Sequence, residues 1–276
     1  MCWGYIADSH TSITNATPYL GEKSPSEGKN IQPAPEILQK LELRSDMIET
    51  RSRYLGDNVN IYQKVGNTAY ITFDEFTLGI RTSYDDMLKI GDVIDVVYYV
   101  NSQIEQDEEI ENVVVDLSCN GGGTVDSAIY LVAWLLGECD LSVYSSLTGS
   151  KATTSYFADV NLDGLFDEKD NISDKNLYCL ISPQSFSCGN SVPAILKESG
   201  NVTLLGQTSG GGACYVFRAT TADGTILNIS GPQTMSISKN GTYYNIDKGV
   251  EPNIELTKFE SFYDRVALTE YLNNLK

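Results

Sequence analysis

Ser187 stands in a turn of small residues, within SPQSFSCGNSVPAILKESG at 182–200, just ahead of a helical pattern. A serine hydroxyl becomes a useful nucleophile only with a base beside it, usually histidine or lysine. The chain has one histidine, His10, in YIADSHTSI, and no lysine between Lys197 and Lys239. A second requirement of acyl transfer is a set of fixed donors for the charge that develops on the carbonyl oxygen. The stretch VVVDLSCNGGGTVDSAIYL could supply them, because it runs from an apolar strand through Asn120, Gly121, Gly122 and Gly123 into a helix. Glycines let backbone amides approach a ligand closely, and amides at a helix start carry partial positive charge. The cluster has neither the GxGxxG spacing of dinucleotide sites nor the GK[ST] ending of a phosphate loop. A glycine turn can also serve the turn alone. Cys188, directly after the serine, is a second candidate nucleophile.

A separate motif concerns a metal ion. DVNLDGLFDEKD, residues 159–170, places Asp159, Asn161, Asp163, the Leu165 carbonyl, Asp167 and Asp170 at positions 1, 3, 5, 7, 9 and 12 of a twelve-residue loop, with Gly164 at position 6. Those are the oxygen-ligand positions of an EF-hand-type calcium loop, with glycine at the sharp turn. The last ligand is usually a bidentate glutamate, so Asp170 weakens the distinction between calcium and magnesium. The bland alternative is a solvated acidic loop. The expectation is a structural calcium ion beside the serine segment, with no cofactor required for the chemistry.

Composition narrows the partners. Of 276 residues, 41% are hydrophobic, and the formal charge is −18. Such a chain is globular, and its acidity opposes binding to nucleic acid or an anionic membrane. No apolar run reaches the roughly 20 residues of a membrane helix. The first ten residues do not read as a signal peptide. The six cysteines form no CxxC pair, so they read as buried thiols, with a disulfide left open.

Stepping along the chain, residues 1 to about 20 read as the end of a helix and a turn, and 21–36 as a polar connector. From TAYITFDEF at 68–76 onward, strand-like runs alternate with helical periods: DVIDVVYYVNSQIE helical, IENVVVDLS strand, TVDSAIYLVAWLLG helical, then LSVYSSL, LYCLIS, a helix near 190–199, and NVTLLG. This order implies a largely parallel sheet with packed helices. ACYVFRATT, GTILNISG and QTMSISKNG read as antiparallel strands, and 259–275 as a closing helix.

Taken together, VVVDLSCNGGG, then YCLISPQSFSCGNSVPAILKESGNVTLLGQTSGGG, then KGVEPNIEL resemble the tail-specific, or C-terminal-processing, serine peptidases over residues 68–256. The resemblance implies an α/β, crotonase-like core of parallel strands and helices with additional antiparallel strands. It implies a 61–276 core with the calcium-type loop inserted, after a short helical and connector segment at 1–60 that carries the Asp-Ser-His-Thr motif. Many members pair the serine with a lysine in the equivalent of GQTSGGG, where Gly212 stands here. The sequence is more similar to the histidine-using branch, which includes the tricorn core protease and the chlamydial protease-like activity factor. That likeness implies Ser187 as nucleophile, His10 as base and Glu251 as the group that orients His10, with Asp247 a competitor for that role. The implied oxyanion donors are the N–H groups of Cys188 and Gly123, with Gly122 the near alternative. A peptide or protein substrate and export to the cell envelope are further expectations. A peptide-binding relative without hydrolysis and a crotonase-type acyl-CoA enzyme are the alternatives.

Overall fold

The computed structural model describes residues 12–14, 35–80, 91–222 and 224–275. In chain order the elements begin with β1 (Ser12–Thr14), α1 (Pro35–Leu55), β2 (Tyr62–Val65), β3 (Thr68–Thr72), α2 (Val93–Glu105) and β4 (Asn112–Asp116). They continue with α3 (Val125–Leu136), β5 (Cys139–Ser145), β6 (Lys151–Tyr156), β7 (Asn176–Ile181), α4 (Cys188–Ser199) and β8 (Val202–Gly206). The last third holds β9 (Cys214–Thr220), β10 (Ile226–Lys239), β11 (Thr242–Asn245), β12 (Ile254–Glu255), α5 (Glu260–Tyr263) and α6 (Arg265–Asn273).

One sheet has the order β12-β8-β7-β4-β3-β2. All its pairs are parallel except β2–β3. Successive side chains in a strand point to opposite faces, and a parallel sheet covered on both faces reads as a continuous apolar run. NVVVD of β4 is fully buried for that reason. Val113 and Val115, with Ile71, Cys179 and Leu204, face one cluster with α2, α3 and α4. Val114, with Tyr70, Leu180 and Leu205, faces a second cluster closed by Met47 of α1, Phe262 of α5 and Leu272 of α6.

The second sheet is antiparallel, with β10 at its centre beside β1, β5, β9 and β11, and β6 beyond β5. Here the chain departs from expectation in four places. Residues 12–14 form a strand against Ile226–Asn228, because Ile13 and Thr14 are β-branched and meet an open strand edge. GTILNISG and QTMSISKNG form one 14-residue strand, whose register shifts between Ser230 and Thr234, so the Gly231-Pro232 step is absorbed as an irregularity. β6 is exposed along its whole length and carries no apolar alternation to announce it. The closing helix is broken at Asp264, whose backbone leaves the helical region and whose side chain accepts the Ala267 N–H. Among the described residues no helix is long and apolar enough to cross a membrane.

Candidate active site

Ser187 lies between β7 and α4, on the first central position of a tight turn. Its backbone sits at φ 59° and ψ −121°, and the turn is closed by the Gly189 N–H donating to the Phe186 carbonyl at 2.9 Å. These angles are those of a type II′ turn, where glycine is the usual occupant. A serine on a strained strand-to-helix turn is the arrangement known as a nucleophile elbow. The local sequence marks the serine but not its backbone conformation, of which Gly189 two residues on is the one visible sign. An added Cβ on Gly189 would stand 2.5 Å from the Asn120 carbonyl oxygen. The turn is tied down further: the Ser187 N–H donates to Gly211 O and the Phe186 N–H to Asn120 O, both at 2.9 Å.

The glycine turn after β4 lies directly against the serine. An added Cβ on Gly122 would be 2.7 Å from Ser187 Cβ and 3.1 Å from its Oγ. Gly122 is buried and its N–H donates to Asn120 Oδ1 at 2.9 Å. Gly123 is exposed, and the chain segments on either side of it pair with Phe76 through Phe76 N–H to Gly122 O and Thr124 N–H to Phe76 O. Among the described hydrogen bonds, none engages the N–H of Gly123 or of Cys188, the first residue of α4. A cleft of about 750 Å³, lined in part by Arg51, Cys119, Gly121, Gly122, Gly123 and Phe186, runs along this turn. Just before the glycine turn, Asp116 accepts the Ser118 N–H at 3.0 Å and the Ser118 hydroxyl at 2.6 Å, with Tyr263 OH 3.0 Å from Ser118 Oγ.

Cys188 is an unsuitable nucleophile. Its side chain is buried (1% exposed) and its thiol donates to Gly123 O at 3.3 Å. Burial, only partly offset by a hydrogen bond with Ser187, pushes the thiol up to about 11.

His10 lies outside the described residues. The nearest described strand, β1, ties the following segment to β10. Glu251 is exposed, and its carbonyl accepts Lys197 Nζ at 2.7 Å. Lys197 is about 15 Å of helix beyond Ser187 at 1.5 Å per residue, and no described hydrogen bond joins the Glu251 carboxylate to the serine turn. Asp247 is closer to that turn through the backbone. Its carbonyl accepts the Gly212 N–H at 3.0 Å and its Oδ1 accepts the Ala213 N–H at 2.9 Å. Gly212, where a lysine stands in the dyad enzymes, is buried.

The acidic loop lies between β6 and β7, ending in a 3-10 turn at Glu168–Asp170. Its first half winds around its own ligand positions: Gly164 N–H donates to Asp159 Oδ2, Asp163 N–H to Asn161 Oδ1 and Leu165 N–H to Asp163 Oδ1. Asp159 Oδ1 is buried and has no hydrogen-bond partner, a costly state that a cation would relieve. Asp170 is engaged otherwise. Its Oδ1 accepts the N–H groups of Val160 and Asn161 and its Oδ2 that of Asp167. Among the described residues no group of three or more His, Cys, Asp and Glu side chains converges on one point. An EF-hand-type loop also uses amide and main-chain oxygens, so the orphaned Asp159 oxygen is the more informative observation.

The site thus pairs a positive-φ serine, set between a parallel strand and a helix, with a glycine turn packed against its side chain. The chain belongs to peptidase family S41, whose family model matches residues 67–256. A Chlamydia pneumoniae protein is 28% identical over 170 residues, which are 61% of this chain and 25% of that protein; the chain thus spans about a quarter of that relative's length. Among solved structures, the photosystem II D1 C-terminal processing protease superposes with a TM-score of 0.53 at 16% identity, over 75% of this chain and 52% of its own. Mature CPAF superposes with a TM-score of 0.53 at 15% identity, over 77% and 51%. At these identities the likeness shows a shared fold.

Proposed function

We propose that the chain is a serine endopeptidase that cleaves peptide bonds by acyl transfer through Ser187, with His10 as base and Glu251 as the group that orients it. The observation that carries this reading is the type II′ conformation of Ser187 beside two uncommitted backbone N–H groups. His10 takes the proton as Ser187 Oγ attacks the carbonyl carbon, then returns it to the leaving amine. Water, deprotonated by His10, releases the acyl group. The N–H groups of Gly123 and Cys188 receive the oxyanion; Gly122 is the weaker candidate because Asn120 already holds its N–H. Each such donor is typically worth about 3–4 kcal/mol in the transition state. In this reading Glu251 stabilises the imidazolium with Asp247 as its competitor, and Glu251→Gln compared with Asp247→Asn tests the choice by which lowers kcat.

The test is labelling by a fluorophosphonate with peptide mass mapping, in the wild type and in His10→Ala. Adduct on Ser187 that disappears in His10→Ala supports the assignment. A folded wild type that does not react favours a peptide-binding relative without hydrolysis. Because protonated His10 cannot act as a base, kcat/KM falls as acid protonates it. A flat profile from pH 5 to 8 would sink the role of His10.

We further propose that the 159–170 loop holds a structural calcium ion through Asp159, Asn161, Asp163, the Leu165 carbonyl, Asp167 and Asp170, the last exchanging its backbone bonds for the ion. At a free calcium concentration of ~100 times Kd the folded state gains about 2.7 kcal/mol, so Tm falls by several degrees on chelation. An unchanged Tm, with no heat on titrating calcium, would remove the ion.

A further inference from the structure

Asn120 is fully buried, and its polar groups are spent on different parts of the site. Its Oδ1 accepts the Gly122 N–H at 2.9 Å, and its Nδ2 donates to Phe73 O, just after β3, at 2.9 Å. Its backbone N–H donates to Leu117 O and its carbonyl accepts the Phe186 N–H, each at 2.9 Å. The first turn of α4 packs on the same residue through Gly189, where a Cβ would be 2.5 Å from Asn120 O and 2.7 Å from Oδ1. One residue therefore adjoins the segments on both sides of the donor pair, its side chain holding Gly122 and its backbone carbonyl holding Phe186, with Gly189 packed closely over it. The Gly122 bond orients the peptide that leads to Gly123, and the Phe186 and Gly189 contacts fix the turn that presents Cys188.

We infer that Asn120 is the positioning residue that sets the spacing of the oxyanion donors, an assignment that rests on the serine-nucleophile reading above. The chemistry requires asparagine. The side chain must accept from the amide two residues on and donate to a carbonyl of another strand, and an amide side chain does both at short reach. Aspartate lacks the donor and adds a negative charge beside the developing oxyanion. Serine can make the same acceptor contact two residues on, more weakly, but its shorter side chain does not also span to the Phe73 carbonyl. Alanine loses both.

The experiment uses the full chain and a fluorophosphonate probe, with the maximal labelling rate (kinact) and the probe's half-saturation (KI) measured separately for wild type, Asn120→Ser and Asn120→Ala. The expected result is a graded loss of kinact, about 10-fold in Ser and about 100-fold in Ala, the scale of a ~1 Å misplacement. KI stays within twofold of wild type, and the adduct remains on Ser187. A merely structural role would lower Tm while leaving the kinact of the folded protein intact, and that outcome overturns the inference. So does an Ala variant that reacts at the wild-type rate. If Ala does not fold, the Ser variant alone decides, by whether kinact falls at constant KI. A wild type that never reacts removes the nucleophile reading and this inference with it, whereas a reactive wild type with an equally reactive Ala variant removes the inference alone.

Discussion

At the scale of single residues, the glycines of the first turn differ in what they can report. A Cβ on Gly123 would stand 2.1 Å from the Phe76 carbonyl oxygen, so a substitution there displaces a neighbouring backbone and tests the fold as much as the chemistry. Gly122 is the sharper probe, since its added Cβ presses on the Ser187 side chain itself. Gly122→Ala is expected to lower kcat/KM by about 100-fold, measured on a peptide substrate or by probe labelling; turnover within threefold of wild type would contradict the close approach. Cys188 gives a second prediction. With the folded thiol raised to about 11, the reactive thiolate is scarce at neutral pH and grows only as pH climbs toward that value. Iodoacetamide at pH 8 should leave both Cys188 and the activity untouched, and mass mapping of the alkylated sites checks it.

At the scale of elements, α6 depends on its cap. Asp264 Oδ1 accepts the Ala267 N–H at 3.0 Å, so Asp264→Ala should cost about 1 kcal/mol of stability, read from the urea midpoint, with catalysis unchanged. The elements that sequence periodicity displays were those with a strong apolar signal. NVVVD, buried on both faces, and the amphipathic α2 and α3 could be read directly. β6 could not, because all six of its residues are exposed and its place is set by the backbone ladder with β5. The site was legible in a similar, partial way. The serine turn and the glycine turn are each local in sequence, and the fold sets Gly122 against the Ser187 side chain. Asn120 stands in the glycine cluster, but its bonds to Phe73 and Phe186 join segments far apart in the chain, and no local pattern encodes them. The acidic loop shows the reverse, since its spacing was plain while the diversion of Asp170 to backbone N–H groups was not.

At the scale of the whole molecule, the parallel sheet is the common wall of two apolar clusters, and its strand ends carry the candidate site. β4 leads into the glycine turn and β7 into the serine turn, and the two strands are paired along their length. The helices α5 and α6 close the far cluster and also reach the site, through Tyr263 at Ser118 and Arg265 beside Asp116 at 3.9 Å. Such a rigid frame can hold a residue in a conformation that residue would not choose. Ser187, with its positive φ, stands where glycine is at ease, and holding it there costs about 1–3 kcal/mol. The protein is consequently less stable with serine at position 187 than it would be with glycine there. Ser187→Gly should therefore unfold at a higher urea concentration than Ser187→Ala, which keeps the strain and loses the hydroxyl. The inert glycine variant, with its cleft whole and its stability increased, becomes a trap in which an uncut substrate can be captured and identified.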